Sequence, residues 1–171
     1  LGSYRNMVGI NSANQEAIVN LADVSNWSDV AGLNNVEMVM NPHWYHYRGR
    51  ISSYTTNATQ VLFKFRTPES DFIFNKGDSF WVNVPYCFEN SIDFLDAEGE
   101  WFHDTATSTL YYKPRPGEYM PTATIEAPLL ERLIQLTGTS SSTSNKVRNV
   151  RFEGLTFTQA GWNGPSTKGS A

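Results

Sequence analysis

The amino-acid sequence predicts an all-β fold. β-branched and aromatic residues recur in short runs bounded by Gly, Pro, Asn and Asp, one run alternates strictly between apolar and polar residues, and no stretch carries a long helical stripe. The strand candidates in chain order are residues 36–40, 44–54, 60–65, 80–84, 101–103, 110–113 and 123–127. Helix is minor: residues 23–30 are the one candidate, with Asp23 or Ser25 as N-cap.

Two of these runs show the period that a sheet imposes on side chains. In residues 60–65, Val61, Phe63 and Phe65 share one face and Lys64 lies on the other, as in a half-buried strand. In residues 44–51, Trp44, His46, Arg48 and Arg50 alternate with Tyr45, Tyr47, Gly49 and Ile51, so one face is a ladder of aromatic and cationic groups. Such a face seldom enters a core whole. Residues 100–113 read as a hairpin around the polar 105–109 stretch, ended by Pro114, Pro116 and Gly117. Its Trp101 and Tyr111 are expected in the core, because a hairpin has to bury one face.

After Pro128 the texture changes. Residues 129–136 are apolar, 137–145 form a Gly, Ser and Thr tract, and Val150, Phe152, Leu155 and Phe157 follow the spacing of coil strands in a β-solenoid. A solenoid unit buries its face only against a stacked neighbour, so the chain reads as cut off after one or two coils, with 163–171 as a disordered tail.

Composition narrows the function. Aromatic residues make up 13% of the 171 residues and charged ones 18%, which marks a folding chain. A net charge of −4 with scattered basic residues argues against nucleic acid as a partner, and no apolar run is long enough to span a bilayer. The single cysteine, Cys87, excludes an internal disulfide and reads as a buried, inert thiol. Three histidines and one thiol make a transition-metal site improbable, and no cofactor motif is present.

One ordered series is specific. Glu89-Asn90-Ser91-Ile92-Asp93-Phe94-Leu95-Asp96 running into Gly99, Trp101 and Phe102, followed by Thr109-Leu110-Tyr111-Tyr112-Lys113-Pro114-Arg115-Pro116-Gly117-Glu118, resembles right-handed parallel β-helix proteins of the pectate-lyase-like superfamily. Ala127-Pro128-Leu129-Leu130 and Val150-Arg151-Phe152-Glu153-Gly154-Leu155-Thr156-Phe157 are similar to that family's return into the helix. The resemblance covers roughly residues 36–162. It implies an inserted antiparallel β-sandwich (residues 1–127) followed by the first one or two coils of a right-handed parallel β-helix (128–162). The parent would be a secreted or periplasmic glycoside hydrolase acting on plant-type or other polysaccharide. Its catalytic carboxylates would lie on later coils, so no catalytic residue is carried over and this chain alone is not an enzyme.

The residues themselves offer three chemistries. Glycoside hydrolysis needs two carboxylates about 5 to 9.5 Å apart, and Glu98 and Glu100 would meet that spacing on an extended strand. Gly99 between them signals a turn instead, with Asp96 as its cap. His43 and His46 would point to opposite faces of a strand, which disfavours shared metal binding. The remaining option is sugar contact. A pyranose presents an apolar face and a rim of hydroxyls, so an aromatic platform beside polar donors suits it. Trp44 leads the candidates, with His43, Tyr45, His46, Arg48 and Trp162 behind it. The competing expectation is that Trp44 and Tyr47 fill the core, and that the domain is a purely structural or oligomerisation insert with no glycan contact.

Overall fold

In the structure, a computed structural model, residues 4–24, 33–139 and 145–161 are described. They fall into two compact units, the first ending at Met120 and the second beginning at Pro121.

Among its described residues the first unit holds nine strands and one short α-helix: β1 (Arg5–Asn6), β2 (Gly9–Asn11), β3 (Glu16–Asn20), β4 (Glu37–Met40), β5 (Tyr47–Thr56), β6 (Gln60–Phe65), α1 (Glu69–Ile73), β7 (Pro85–Glu89), β8 (Trp101–Asp104) and β9 (Thr109–Tyr112). β1 to β7 make a seven-stranded sheet in the order β1-β7-β4-β5-β6-β3-β2, every neighbouring pair antiparallel. β5 belongs to both halves. Its first residues pair with β4 and its later ones with β6, and the register shifts between Ile51 and Ser53. An irregularity of that kind bends a strand and lets it change sheets.

At the far side one segment does the same. The Met7 amide donates to the Val84 carbonyl at 2.9 Å, beside β7, whereas the next amide, Val8, donates to Ile18 of β3 at 2.9 Å. β1 and β2 are thus halves of one extended run, and the sheet folds over until its ends meet. The enclosed core takes alternate residues from each strand: Ala17 and Val19, Met38 and Met40, Val61, Phe63 and Phe65, with Ile51, Tyr86 and Trp81. Full burial of such a side chain contributes about 1.5–3 kcal/mol each, which is what the alternation in residues 60–65 achieves.

α1 sits on this sheet over Gly49. A Cβ at Gly49 would lie 2.7 Å from Phe65 Cδ1 and 3.0 Å from Ile73 Cδ1, so only hydrogen fits there. Glu69 at the start of α1 is buried and forks onto Arg50, whose Nη2 donates to Oε2 at 3.1 Å and whose Nε donates to Oε1. Burial pushes the Glu69 carboxyl up, but the Arg50 hydrogen bonds pull it further down, leaving it below its usual range. On the outer face, Arg48 bridges Glu37 at 2.8 Å and Glu89 at 2.5 Å, two carboxylates that lie opposite each other on β4 and β7.

Several expectations are corrected. Residues 80–84 are not a strand: a 3-10 turn, Asp78–Trp81, buries Trp81, and the strand begins at Pro85, where a missing N–H is tolerated. β5 begins at Tyr47 rather than Trp44, and the helix is α1, opened by Pro68 and the acidic Glu69 and Asp71. Of the helix expected at 23–30, only Asp23 and Val24 fall within the described residues, where Asp23 ends a 3-10 turn, Leu21–Asp23. β8 and β9 do pair as a hairpin, but Trp101 is 68% exposed and Tyr111 42%, so neither is core. A lone two-stranded ribbon buries a face only where a second layer covers it. Cys87 is buried, and burial raises its pKa, so it stays a thiol at neutral pH.

In the second unit no strand is formed among the described residues, including 123–127 and 147–157. Leu129, Leu155 and Phe157 are exposed. A parallel coil strand hydrogen-bonds only to the coil beside it, and none is present among these residues to supply the ladder. The unit is held instead by local bonds, such as Gly161 N–H to the Leu130 carbonyl at 2.8 Å.

Candidate functional site

The link between β4 and β5 is a tight turn rather than the continuous strand expected. The Tyr45 amide donates to the Pro42 carbonyl at 2.8 Å, His43 takes a left-handed φ of 43°, and the Asn41 amide is anchored on Pro85 of β7 at 2.9 Å. Across the neck, His46 Nδ1 and Asn41 Oδ1 lie 2.6 Å apart. A turn frees consecutive residues from strand alternation, so His43, Trp44 and Tyr45 gather on one prominence, with Trp44 80% exposed at its tip.

Beneath the tip, rings stack down to the core by two routes. Trp44 meets Tyr45 (centroids 5.9 Å), Tyr45 meets Tyr47 (5.5 Å), and Tyr47 meets the buried Trp81 (5.1 Å). By the second route Trp44 meets His43 (5.5 Å), His43 meets Phe80 (5.2 Å), and Phe80 meets Trp81 edge-on (5.3 Å). Aromatic pairs at such distances stabilise by about 0.5–1.5 kcal/mol each beyond area burial. Lys76 adds its ammonium 5.5 Å from the centre of the Tyr45 ring. Burial, reinforced by Tyr45, raises the Tyr47 hydroxyl pKa, so it remains a neutral donor. The result is an exposed indole supported by two columns of rings.

Of the residues singled out from sequence, the structure brings His43, Trp44 and Tyr45 together. His46 stands at the neck with Asn41. Arg48 lies on the strand face opposite Tyr47, held by Glu37 and Glu89, whose hydrogen bonds outweigh the effect of burial and raise its pKa. Trp162 lies outside the described residues. Trp44 does not fill the core, whereas Tyr47 is half-buried against it. Phe80 and Lys76 were missed, because they come from a segment more than thirty residues away and no local pattern links them to the turn.

The acidic stretch is folded as a turn, not as the extended strand that would set Glu98 and Glu100 on one face. Glu100 Oε2 accepts from the amides of Asp96 (2.9 Å) and Ala97 (2.7 Å), and Gly99 has φ 88°, so the segment is a turn capped by Glu100 rather than by Asp96. Glu98 is exposed and Asp93 bonds Ser91. Among the described residues no group of three or more His, Cys, Asp and Glu is placed to hold a metal ion, and no helix is long and apolar enough to cross a membrane.

These residues make a closed antiparallel β domain with a projecting aromatic turn. Residues 2–115 match the family model of the GH141 insertion domain, and the chain belongs to that family. A solved structure described as "Glycoside hydrolase" is similar with a TM-score of 0.67 and 26% identity, over 80% of this chain and 24% of that one. The chain therefore spans about a quarter of that protein's length. No curated protein matches. The insertion expected from the resemblance is thereby established in its coarser form, an insertion domain associated with glycoside hydrolases, consistent with a non-catalytic segment of a parent enzyme.

Proposed function

We propose that this domain flanks the substrate groove of a parent glycoside hydrolase and holds glycan there through the Trp44 turn, without taking part in bond cleavage. The parent is read as a secreted or periplasmic enzyme of the pectate-lyase-like, parallel β-helix type, with residues 128–162 as its first coils and polysaccharide as its substrate. The observation that carries the reading is an indole 80% exposed on a ring stack rooted in the core. Trp44 and the adjoining Tyr45, 41% exposed, form contiguous apolar surface of the kind that marks a binding site, and the flat face of a pyranose fits it. Binding by this platform alone is weak, about millimolar or −4 kcal/mol.

The test is Trp44→Ala in the full parent enzyme. Activity on oligosaccharides should fall while activity on a small aryl glycoside, assayed well below the melting temperature, stays at its wild-type value. Unchanged oligosaccharide activity would defeat the proposal. A second reading, a structural insert that only docks, is favoured by the exposed Trp101 and Leu110 on one face of the β8–β9 hairpin. It predicts instead that Trp101→Ala lowers the parent's melting temperature and that Trp44→Ala leaves oligosaccharide activity at its wild-type value.

A further inference from the structure

The segment that brings rings beneath the Trp44 turn also brings it a charge. Between α1, which ends at Ile73, and the 3-10 turn Asp78–Trp81, the chain runs through Asn75, Lys76 and Gly77. Phe80 of that 3-10 turn meets both His43 (5.2 Å) and Tyr45 (6.2 Å), and the Lys76 ammonium stands 5.5 Å from the centre of the Tyr45 ring. Tyr45 in turn meets Trp44 at 5.9 Å, which keeps the ammonium within about a disaccharide's length of the indole.

This ammonium is not spent on a carboxylate. Among the described residues the ion pairs take Arg5, Arg48, Arg50, Lys64, Arg115 and Arg151 as their cations. The carboxylates nearest to Lys76 in sequence are Asp71, exposed on α1, and Asp78, which accepts from the Ser12 amide at 3.3 Å and from the Ser12 hydroxyl. The turn itself adds none: residues 38–68 contain no Asp or Glu, although the whole chain has a net charge of −4. Glu37 and Glu89 lie at the opposite end of β4 from the turn and are held by Arg48. A lysine ammonium is a compact, strongly hydrated charge with three donors and no acceptor, and a phenol face at a partly exposed site holds it only weakly. A carboxylate or sulfate oxygen offers it a charge-assisted hydrogen bond, which a neutral sugar hydroxyl does not.

We propose that Lys76 sets the charge preference of the Trp44 platform. The platform takes an acidic glycan: a pyranose stacks on the indole, and a carboxylate or sulfate ester on that ring or the next one meets the ammonium. The proposal rests on the glycan reading of the turn and goes beyond it in naming the chemistry of the sugar and the residue that selects it. The test is a titration of the chain with matched pairs of oligosaccharides, followed through the indole N–H signal of Trp44. One pair is a glucuronate-substituted xylotriose and its methyl ester, and the other is a sulfated galactan tetrasaccharide and its desulfated form. The acidic member of at least one pair should bind about three- to tenfold more tightly than its neutral partner, and about 0.5 M salt should erase most of the difference. Which pair shows the preference separates a carboxylate from a sulfate ester. Lys76→Gln should bring the acidic member down to the affinity of the neutral one and leave the neutral one unchanged. Equal affinity within both pairs, or a preference that survives in Lys76→Gln, overturns the inference and leaves the glycan reading standing. Weaker binding of the neutral members in Lys76→Gln overturns it as well, because the lysine then shapes the platform rather than selecting charge. Binding that survives Trp44→Ala, or no shift with any of these sugars up to about 50 mM, overturns the glycan reading and this inference with it.

Discussion

Adding one methyl group at Gly49 probes how closely α1 is pressed onto the sheet. The new Cβ would stand 2.7 Å from Phe65 Cδ1 and 3.0 Å from both Phe65 Cε1 and Ile73 Cδ1. Ordinary carbon contacts begin near 3.4 Å, so the Phe65 ring has to retreat by about 0.7 Å in an interior packed as densely as a crystal. Phe65 and Ile73 are both buried, which leaves little room for that movement. Overpacking of this kind costs about 1–3 kcal/mol, and the lower entropy of an unfolded chain with alanine returns about 0.4–1 kcal/mol. A net loss of about 1–2 kcal/mol corresponds to a melting temperature lower by about 3–8 °C for a chain of this size. Thermal unfolding followed by circular dichroism measures it, and Phe65→Leu in the same background should cost less than it does in wild type, because the ring edge in conflict is gone. A melting temperature for Gly49→Ala at or above wild type would refute the described approach of α1 to β5.

Two further outcomes follow from polar contacts. Glu69→Gln should lower stability by about 1–2 kcal/mol at neutral pH, less than for a fully enclosed pair because Arg50 reaches solvent. Since the folded state depresses the Glu69 pKa, its stabilisation is complete above the ordinary carboxylate range and is lost as pH falls through the depressed value. Denaturant melts of the two proteins should therefore converge in acid below about pH 4, and a gap that widens there would contradict the ion pair. Asn57→Ala should cost about 1 kcal/mol, as other lost side-chain caps do, because the Asn57 side chain accepts from the amides of Thr59 (3.0 Å) and Gln60 (2.9 Å) to close the β5–β6 turn. Urea titration checks it, and an unchanged midpoint would place the turn's stability elsewhere.

What the sequence disclosed depended on range. Gln60–Phe65 was legible to the residue because a period of two is a local signal, and the β8–β9 hairpin with its polar connection was legible to within one residue at its strand ends. β1 to β3 were not legible: they are short, broken by Gly9 and by polar residues, and acquire their partners from β6 and β7, far along the chain. The start of β5 was misread because the alternation of rings and cations in residues 44–51 outweighed the Asn41-Pro42 dipeptide, itself a turn signal. Trp44 was singled out from its chemistry, but the rings beneath it were not, since Phe80 and Trp81 arrive only through folding. Arg48 was singled out as a sugar-contact candidate, and its ion pairs with Glu37 and Glu89 were out of view because those residues lie on other strands. That the Tyr86 hydroxyl lacks a partner among the described residues has no trace in sequence at all, since a missing partner exists only once neighbours are fixed.

The run from Arg5 to Asn11 lends its first half to β7 and its second to β3, so it acts as a zip between two rims that would otherwise face water. For a domain lodged inside a host polypeptide this matters, because an open rim would recruit strands from its surroundings into wrong ladders. A zipped sheet solicits none, and the guest can take shape as a self-contained bead while its host is still being assembled.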